Sequence, residues 1–243
     1  MPNHTIFNER PESQDRALKV IEKLGYTIVP RSEAEKKRGS RRAVLFTEEL
    51  QSFLSHQTYQ FGTEERYFSG GSIAKAMQTM DQFSAAGLYA ENKTIYELLC
   101  AGKSMEEDLP DGTRQSFDLS FIDFEHPENN TFQVTDEFEV ERPNGKFARP
   151  DIVVLVNGIP LVVIECKKSS VDVMEGVNQN IRNWGEEYIP HLFRYSQLVI
   201  AVNPDKVLYG TCGTPAKYFV SWHEDDKEWL NNWCRKCSPD GQI

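Results

Sequence analysis

The fold is decided by one stretch of the sequence, which reads Arg149-Pro-Asp-Ile-Val-Val-Leu-Val-Asn-Gly-Ile-Pro-Leu-Val-Val-Ile-Glu-Cys-Lys167. Two apolar runs flank an Asn-Gly pair, which is a strong signal for a β-hairpin. The first run follows Asp151, and the second ends at Glu165, two residues before Lys167. Charged groups at the end of a buried hairpin are costly unless they are paired or bind a metal. The stretch therefore predicts a strand pair with a charged site for a hard divalent cation, an activated water and a phosphodiester.

The register of this hairpin decides whether the two carboxylates can meet, because cross-strand partners point to the same side of a sheet. A strict two-residue turn would send Glu165 to the face opposite Asp151. A three-residue loop, or one extra bulged residue, pairs them instead, and Asn-Gly can supply the left-handed residue that a bulged turn needs. We predict the odd-numbered loop, which gives the pairs Val153–Val163 and Leu155–Leu161.

The expected centre has Asp151 and Glu165 as Mg²⁺ ligands, with the Cys166 backbone carbonyl as a possible third ligand and waters completing the octahedron. Lys167 lies two residues after Glu165 and shares its face of the strand. It would orient or help deprotonate the attacking water and offset charge on the phosphate. The Cys166 side chain points to the other face, as a small core residue. The plainer interpretation of an Asp and a Glu-x-Lys is a solvated strand end, but both arms are nearly all apolar up to the charged residues.

The bulk composition limits the class of protein. A formal net charge of −10 over 243 residues means that the surface as a whole is not a nucleic-acid binder, so such binding requires local patches. No apolar run approaches the roughly 20 residues that span a bilayer, so no membrane partner is expected. The polar start is not a signal peptide, and five scattered cysteines suggest a reducing compartment. We expect a cytoplasmic protein.

The periodicity of the rest of the chain predicts an α/β (α+β) protein. Helices are expected over 13–24, 47–56, 72–84, 94–101, 172–184 and 224–235, with Ser13, Thr47 and Thr94 as caps, and a loop or frayed helix end over 31–42. Strands are expected over 26–30, 117–124, 131–141, 151–156, 161–166, 197–203 and 217–222. We divide the chain into a helical N-terminal part (1–110), a core that carries the hairpin (111–223) and a C-terminal helix and linker (224–243).

Asp-x(13)-Glu-x-Lys on a hairpin is the pattern of the PD-(D/E)xK nuclease superfamily. The surrounding sequence, from Pro127-Glu-Asn-Asn-Thr-Phe-Gln-Val-Thr-Asp-Glu-Phe138 through Val156-Asn-Gly-Ile-Pro-Leu-Val-Val-Ile-Glu-Cys-Lys-Lys168, more closely resembles the N-terminal nuclease domain of type I restriction enzyme R subunits. The likeness is tight over 127–203. It implies a restriction-endonuclease-like mixed β-sheet flanked by helices, with a helical N-terminal elaboration.

This resemblance implies a Mg²⁺-dependent endonuclease that hydrolyses phosphodiester bonds of double-stranded DNA. It further implies a restriction complex with modification (methyltransferase) and specificity subunits. The R subunits of this family couple the nuclease to an ATP-driven DNA translocase, yet the sequence holds no Walker A motif. We therefore expect ATP to act only through a motor domain elsewhere, with this chain as the N-terminal piece of a longer polypeptide.

The family also carries a Gln-x-x-x-Tyr motif on the helix after Glu-x-Lys, close to the active site. Gln179 matches its glutamine, but Asn183 stands where the tyrosine is expected, so the role of that tyrosine does not carry over. Arg182 shares a helix face with Gln179, and Glu175 lies on the same side. We expect these three as supporting site residues, against the plainer interpretation of a solvated face. Many members of the superfamily place an additional acid on the first helix, for which Glu12 and Asp15 are candidates.

DNA contacts are expected from basic residues near the catalytic ones, namely Arg142, Lys146, Arg149 and Lys168. Lysine and arginine contacts to phosphate provide affinity without reading sequence. The basic cluster at 36–42 could serve the same purpose or could be a solvated loop. Cys234-x-x-Cys237 is half of a zinc knuckle without a second half, so zinc is not expected.

Two other functions remain open on the sequence. One is a stand-alone nuclease of the same superfamily, for repair or mobile-element processing. The other is a non-catalytic docking module that keeps the fold and uses its helical half to contact partner subunits. The intact Asp151, Glu165 and Lys167 triplet argues against the docking module.

Overall fold

The structure is a computed structural model that describes residues 12–82 and 86–221. Its elements are, in chain order, α1 (Glu12–Lys23), β1 (Thr27–Ile28), α2 (Arg31–Arg38), α3 (Thr47–Ser55), β2 (Thr58–Phe61), β3 (Glu64–Tyr67), α4 (Gly70–Asp81), α5 (Leu88–Ala101), β4 (Lys103–Asp108), β5 (Arg114–Leu119), β6 (Phe132–Asp136), β7 (Val140–Glu141), β8 (Phe147–Ala148), β9 (Ile152–Val156), β10 (Ile159–Cys166), α6 (Val173–Asn183), α7 (Pro190–Phe193), β11 (Leu198–Asn203), β12 (Lys206–Gly210) and β13 (Val220–Ser221).

A mixed sheet of seven strands runs through these residues in the order β1-β6-β9-β10-β11-β12-β13. The β9–β10 hairpin lies near its centre, antiparallel to β6 on one side, while β10 pairs parallel with β11 on the other. A parallel neighbour requires a crossover, which α6 provides by packing on β10 and β11. The α/β fold expected from the sequence is therefore confirmed, and it is consistent with a restriction-endonuclease-like domain.

The two faces of the sheet bury different sets of residues because successive strand residues alternate in direction. On one face α1 packs a small core, made of Leu18, Val134, Ile152, Val154, Ile164 and Cys166. The other face holds Val153, Leu155 and Val163 and joins a larger core to which α3, α4, α5 and α6 contribute. The Cys166 side chain lies in the smaller core, as expected, so the residues on either side of it face the larger one.

The hairpin reaches the register that the site needs by a route different from the predicted one. The loop is a two-residue turn, with Val156 paired to Ile159 and with positive φ angles of 50° at Asn157 and 78° at Gly158. The register then shifts between Pro160 and Val162, where one extra residue is bulged. The predicted three-residue loop is wrong, and Leu155 pairs with Pro160 rather than Leu161. The predicted pair Val153–Val163 is present because the bulge supplies the extra residue.

The turn is held rigidly inside the protein. Asn157 is fully buried, and its side-chain amide donates to the Phe121 carbonyl at 3.0 Å and to Asn130 Oδ1 at 2.8 Å. Its Oδ1 accepts from the Thr131 backbone N–H at 2.8 Å. Gly158 lies against the start of α3, where its carbonyl accepts from the Phe46 N–H at 2.9 Å. These contacts fix the hairpin to the N-terminal helices at the end remote from Asp151.

Gly158→Ala is expected to lower the free energy of unfolding by at least about 2 kcal/mol, or the melting temperature by roughly 4–8 °C. A Cβ there would collide with the Phe46 carbonyl oxygen and lie 3.1 Å from the Phe46 Cβ, in a left-handed backbone. Gly112→Ala is the matched control, since Gly112 has a φ of 81° with nothing within 4 Å of the added Cβ. Thermal unfolding of both variants checks this, and equal losses would show that the close approach is unimportant.

Several local expectations for the N-terminal part are wrong. Residues 31–38 form α2 rather than a loop, and a β2–β3 hairpin separates α3 from α4. Helix α5 begins at Leu88, so Thr94 lies inside it and donates to the Ala90 carbonyl at 3.0 Å instead of capping. Phe46 rather than Thr47 precedes α3 as its cap. The expected strand over 117–124 is β5, which pairs with β4 outside the main sheet.

The predicted division into 1–110, 111–223 and 224–243 stays a prediction, although the larger core does contain residues from both sides of position 110. The expected helix over 224–235 and the Cys234-x-x-Cys237 motif lie outside the described residues. Within the part that the structure describes, no helix combines the length and the apolar character needed to cross a membrane.

Candidate metal centre

Asp151 and Glu165 come together at the end of the hairpin opposite the turn. The last paired residues of the two strands are Ile152 and Ile164, so the next position outward brings Asp151 beside Glu165. The Asp151 carboxylate is fixed by the Cys166 backbone N–H, which donates to its Oδ2 at 2.7 Å. The bulge thus has a chemical consequence, since it places two carboxylates on the same face of adjacent strands.

Glu165 is fully buried, and neither of its oxygens has a hydrogen-bond donor among the described residues. The nearest positive charge is the Lys167 ammonium, whose Nζ lies 3.9 Å from Glu165 Oε2. Burial, together with the adjoining Asp151 carboxylate, raises the pKa of Glu165 well above its ordinary value. Burial also raises the pKa of Asp151, against the opposing effect of the Cys166 N–H. A buried carboxylate without a donor is a costly arrangement that a bound cation would relieve.

Lys167 is oriented by helix α6. Its Nζ donates to Gln179 Oε1 at 2.6 Å, and its side chain is 18% exposed. Helix α6 can approach this closely because of Gly176, where an added Cβ would lie 3.0 Å from the Ala201 Cβ and 3.5 Å from the Glu165 Cβ. The structure therefore brings together Asp151, Glu165, Lys167 and Gln179 of the predicted site residues.

Helix α1 is attached to both arms of the β9–β10 hairpin through backbone carbonyls of the adjoining residues. Ser13 Oγ donates to the Lys167 carbonyl at 2.8 Å, and Gln14 Nε2 donates to the Asp151 carbonyl at 3.2 Å. Ser13 is therefore not the predicted helix cap, since α1 begins at Glu12. Of the candidate extra acids, Asp15 is exposed on α1, and the side chain of Glu12 is outside the described part of the structure.

A rim of basic side chains lies around the centre. The Arg182 charge acts on Glu165, and the Arg182 guanidinium lies 5.5 Å from the Tyr188 ring centroid. Arg142 covers the same ring at 3.9 Å and donates to the Glu187 carbonyl at 3.0 Å. Arg149 Nε lies 2.7 Å from Glu137 Oε2. Arg182 therefore acts on Glu165 from α6, Arg149 lies two residues before Asp151 in the chain, and Arg142 shares the Tyr188 ring with Arg182.

The remaining predicted site residues lie farther out on the surface. Lys146, in the turn between β7 and β8, Lys168, directly after the hairpin, and Glu175, in the first turn of α6, are all exposed. Asn183, at the position of the family tyrosine, is buried, and its carbonyl accepts from the Ile189 N–H at 3.2 Å. These placements leave the roles of Lys146, Lys168 and Glu175 as predictions.

The basic cluster at 36–42 is largely neutralised by neighbouring carboxylates. Lys37 pairs with Glu49 and Glu33, Arg41 with Glu139 and Glu35, and Arg42 with Glu141. Arg38 is buried 4.0 Å from the Phe138 ring centroid, and burial lowers its pKa to about 10. The solvated-loop alternative holds for Arg41 and Arg42, which are exposed in the loop after α2, whereas Lys36, Lys37 and Arg38 belong to α2. Lys36 is exposed on α2 and forms no ion pair with a carboxylate among the described residues.

The donor set can be compared with what a metal needs. No group of three or more His, Cys, Asp or Glu side chains within 12–82 and 86–221 is arranged to hold a metal ion. Asp151 and Glu165 supply two carboxylates, and Mg²⁺ is commonly held by one or two carboxylates with waters. The oxygens of Glu165 are fully buried and have no hydrogen-bond donor, as expected for a carboxylate whose partner is a metal ion. The residues present therefore fit a hard divalent cation.

Sequence reasoning missed four residues at this centre, namely Ser13, Gln14, Glu137 and Gly176. Only Gly176 carries a local signal, because a glycine inside a helix is unfavourable and often marks a close approach. Ser13 was noticed, but for capping. Gln14 and Glu137 both donate to the Asp151 carbonyl, which lies 137 residues after Gln14 and 14 residues after Glu137 in the chain.

Comparison with known proteins gives consistent results. The family described as "Type I restriction enzyme R protein N terminus" matches residues 6–218. The type I restriction enzyme HindI endonuclease subunit of Haemophilus influenzae is 27% identical over 92% of this chain and 21% of its own length. The SsaAORF53P endonuclease subunit of Staphylococcus saprophyticus is 42% identical over 35% of this chain and 9% of its own. The chain spans about a fifth of the length of the first of these relatives.

Proposed function

Because the chain belongs to the family of type I restriction enzyme R protein N termini, we propose that it is a Mg²⁺-dependent endonuclease domain that hydrolyses phosphodiester bonds of double-stranded DNA. The observation that carries this proposal is the fully buried Glu165 carboxylate next to the half-buried Asp151, with Lys167 beside it. A hydrolase for a phosphodiester needs cation ligands and a group that orients water and offsets negative charge. Both are present on one face of the hairpin.

Asp151 and Glu165 would hold the cation, with the Cys166 carbonyl as the third protein ligand. The Cys166 N–H points towards Asp151, and the N–H and C=O of one strand residue face the same side. When bound, the divalent cation makes water a better nucleophile near neutral pH and withdraws charge from the phosphate. The closed surroundings of Glu165 keep its carboxylate in one orientation.

Lys167 would orient the attacking water and stabilise the negative charge that builds up on the phosphate. Its contact with Gln179 Oε1 fixes the position of Nζ without neutralising the ammonium, since an amide oxygen carries no net charge. A fixed charge of this kind lowers the barrier most effectively when it needs no rearrangement during the reaction.

The basic rim would bind the DNA backbone around the centre. Arg182 acts on Glu165, Arg149 is two residues before Asp151, and Arg142 shares the Tyr188 ring with Arg182. Lys146 and Lys168 are exposed nearby in the chain. Such contacts offset the net charge of −10 locally and would make binding strongly dependent on salt.

The relatives are named as endonuclease subunits of type I restriction enzymes, and this chain corresponds to about a fifth of the HindI subunit. We propose that the complete protein couples this domain to an ATP-driven translocase and works with modification and specificity subunits. The translocase would bring DNA to the centre, and the recognition of sequence would belong to another subunit.

The function is tested by plasmid cleavage with the intact restriction complex carrying Lys167→Ala. We expect cleavage to fall by about 100-fold, the usual effect of removing one charge-stabilising donor. Lys206→Ala, at the exposed first residue of β12, is the control and should cleave normally. A Lys167→Ala complex that linearises supercoiled plasmid as fast as the wild type would contradict the proposed role of this centre.

A further inference from the structure

Glu137 has an unusual backbone for its residue type. Its φ is 52°, in the left-handed region, and among the described residues the other non-glycine with a positive φ is Asn157 in the hairpin turn. Asparagine is at ease in that region, whereas a residue with a longer side chain is strained there. Strained residues persist where surrounding contacts fix them, and they cluster at functional sites. The position therefore calls for an explanation from its contacts.

The backbone of Glu137 is fixed against the strand that carries the candidate site. Its N–H donates to the Asp151 carbonyl at 2.9 Å, and the next N–H, of Phe138, donates to the Pro150 carbonyl at 3.0 Å. Because Asp136 pairs with Ile152, the next position outward places Glu137 opposite Asp151. Glu137, Asp151 and Glu165 are therefore neighbours in a row at the same end of β6, β9 and β10.

The Glu137 side chain binds Arg149 rather than facing solvent. Its Oε2 lies 2.7 Å from Arg149 Nε, with the Glu137 side chain 19% exposed and that of Arg149 41% exposed. The contact uses one of the five N–H donors of the guanidinium. Arg149 is two residues before Asp151, so the ion pair lies directly beside the carboxylate pair.

This arrangement has two costs in the free protein. The left-handed backbone at Glu137 is strained, and its negative charge acts unfavourably on the neighbouring Asp151. A simple structural role does not account for either, since a partly exposed ion pair of this kind contributes little to stability. Both costs are accounted for if the position of Arg149 is needed to bind a ligand at the centre.

We propose that Glu137 is a positioning residue that holds Arg149 beside Asp151, so that the guanidinium binds the DNA phosphate adjacent to the cleaved bond. The inference rests on the proposed function, since it assigns a substrate contact at the same centre. Arginine suits this task because its planar fork matches two phosphate oxygens at once. Fixing its Nε edge restricts the direction in which its terminal nitrogens can point.

The test uses Glu137→Gly, because glycine removes the carboxylate and also relieves the left-handed strain. In the 243-residue chain we expect this variant to unfold at the wild-type temperature or above it. In the intact complex we expect plasmid cleavage to fall by about 10-fold, since a misplaced binding group lowers the rate even when the fold is intact. Glu141→Gln is the control. Glu141 lies in β7 and pairs with Arg42, so this substitution should leave cleavage unchanged.

A double-mutant cycle with Arg149→Ala separates positioning from a general effect. If Glu137 acts through Arg149, adding Glu137→Gly to Arg149→Ala should not lower cleavage further. Multiplying effects, or wild-type cleavage by Glu137→Gly, would overturn the proposal. A merely structural role would instead lower the unfolding temperature of the Glu137→Gly chain.

DNA binding in EDTA distinguishes failure of this inference from failure of the proposed function, because it needs no cleavage. We expect Glu137→Gly and Arg149→Ala to weaken binding of a duplex oligonucleotide by the intact complex to the same extent, and the double variant to match them. If Glu165→Ala leaves cleavage undiminished, the proposed hydrolytic function fails, while this binding cycle still supports or overturns the positioning role. Additive losses in the binding cycle would overturn it.

Discussion

Replacing Glu165 with alanine is expected to reduce DNA cleavage by the intact restriction complex by on the order of 10³-fold or more. The carboxylate is fully buried, adjoins Asp151 and lies 3.9 Å from the Lys167 ammonium. Its loss removes a cation ligand and leaves Asp151 as the remaining carboxylate of the pair. Several kcal/mol of stabilisation from a bound cation correspond to a rate factor of this size. The measurement is conversion of supercoiled plasmid to linear product.

The control for this variant is another buried glutamate. Glu107 is 5% exposed, and its Oε1 accepts from the Ser69 backbone N–H and hydroxyl at 3.1 Å, far along the chain from the hairpin. Glu107→Ala removes a buried carboxylate with its hydrogen bonds and should destabilise the chain, yet the complex should still cleave DNA. Equal loss of cleavage in both variants would mean that Glu165→Ala acts through folding rather than chemistry.

Replacing Glu165 with glutamine is expected to stabilise the chain when no divalent cation is present. The wild-type carboxylate has no donor for either oxygen and adjoins a second carboxylate, whereas an amide of similar shape carries no charge. The amide avoids the cost of burying a charge that has no hydrogen-bond donor and lies beside a second carboxylate, so the substitution should raise the free energy of unfolding. The same change should abolish stabilisation by Mg²⁺, which for the wild type amounts to about 2.7 kcal/mol at a hundred times the dissociation constant.

The stabilisation by glutamine should depend on pH in a defined direction. Burial and Asp151 raise the pKa of Glu165 above its ordinary value of 4.5, so the folded chain holds this proton more tightly than the unfolded chain. The stability that this group contributes is therefore fully present below about pH 4.5 and is lost as the pH rises towards the folded pKa. Without metal, the difference between Glu165→Gln and the wild type should be larger at pH 8 than at pH 5.

The hairpin shows what the sequence could and could not determine. The apolar runs and the Asn-Gly pair predict two strands and a turn, and the shared face of two carboxylates requires one extra residue between them. The position of that residue depends on packing away from the turn. Gly158 and Asn157 are held by Phe46, Phe121 and Asn130, which favours the tight turn and moves the extra residue to the segment between Pro160 and Val162.

The residues that contact Asp151 and Lys167 could for the most part not be predicted from the sequence. Gln14 and Ser13 read as part of an amphipathic helix, and their contacts with the carbonyls of Asp151 and Lys167 exist only once α1 packs on the sheet. Gln179 was identified through the family motif, and the structure adds its partner, Lys167. Local patterns report the direction of a side chain within its own element, whereas the partner depends on tertiary packing.

The basic cluster at 36–42 shows that the partners of charged residues are equally hard to predict from the sequence. Its run of lysines and arginines is compatible with a DNA-binding loop when it is read alone. The acids that neutralise it include Glu139 and Glu141, about a hundred residues later in the chain, which pair with Arg41 and Arg42. Paired charges of this kind connect α2 and the loop after it to the segment before Arg149.

The most direct measurement is thermal unfolding of the 243-residue chain and its Glu165→Gln variant, each with EDTA and with saturating Mg²⁺. The account predicts that Mg²⁺ raises the unfolding temperature of the wild type and leaves that of the variant unchanged, with the variant the more stable in EDTA. Equal shifts in both chains, or no shift in the wild type, would contradict the claim that Asp151 and Glu165 form a divalent-cation centre.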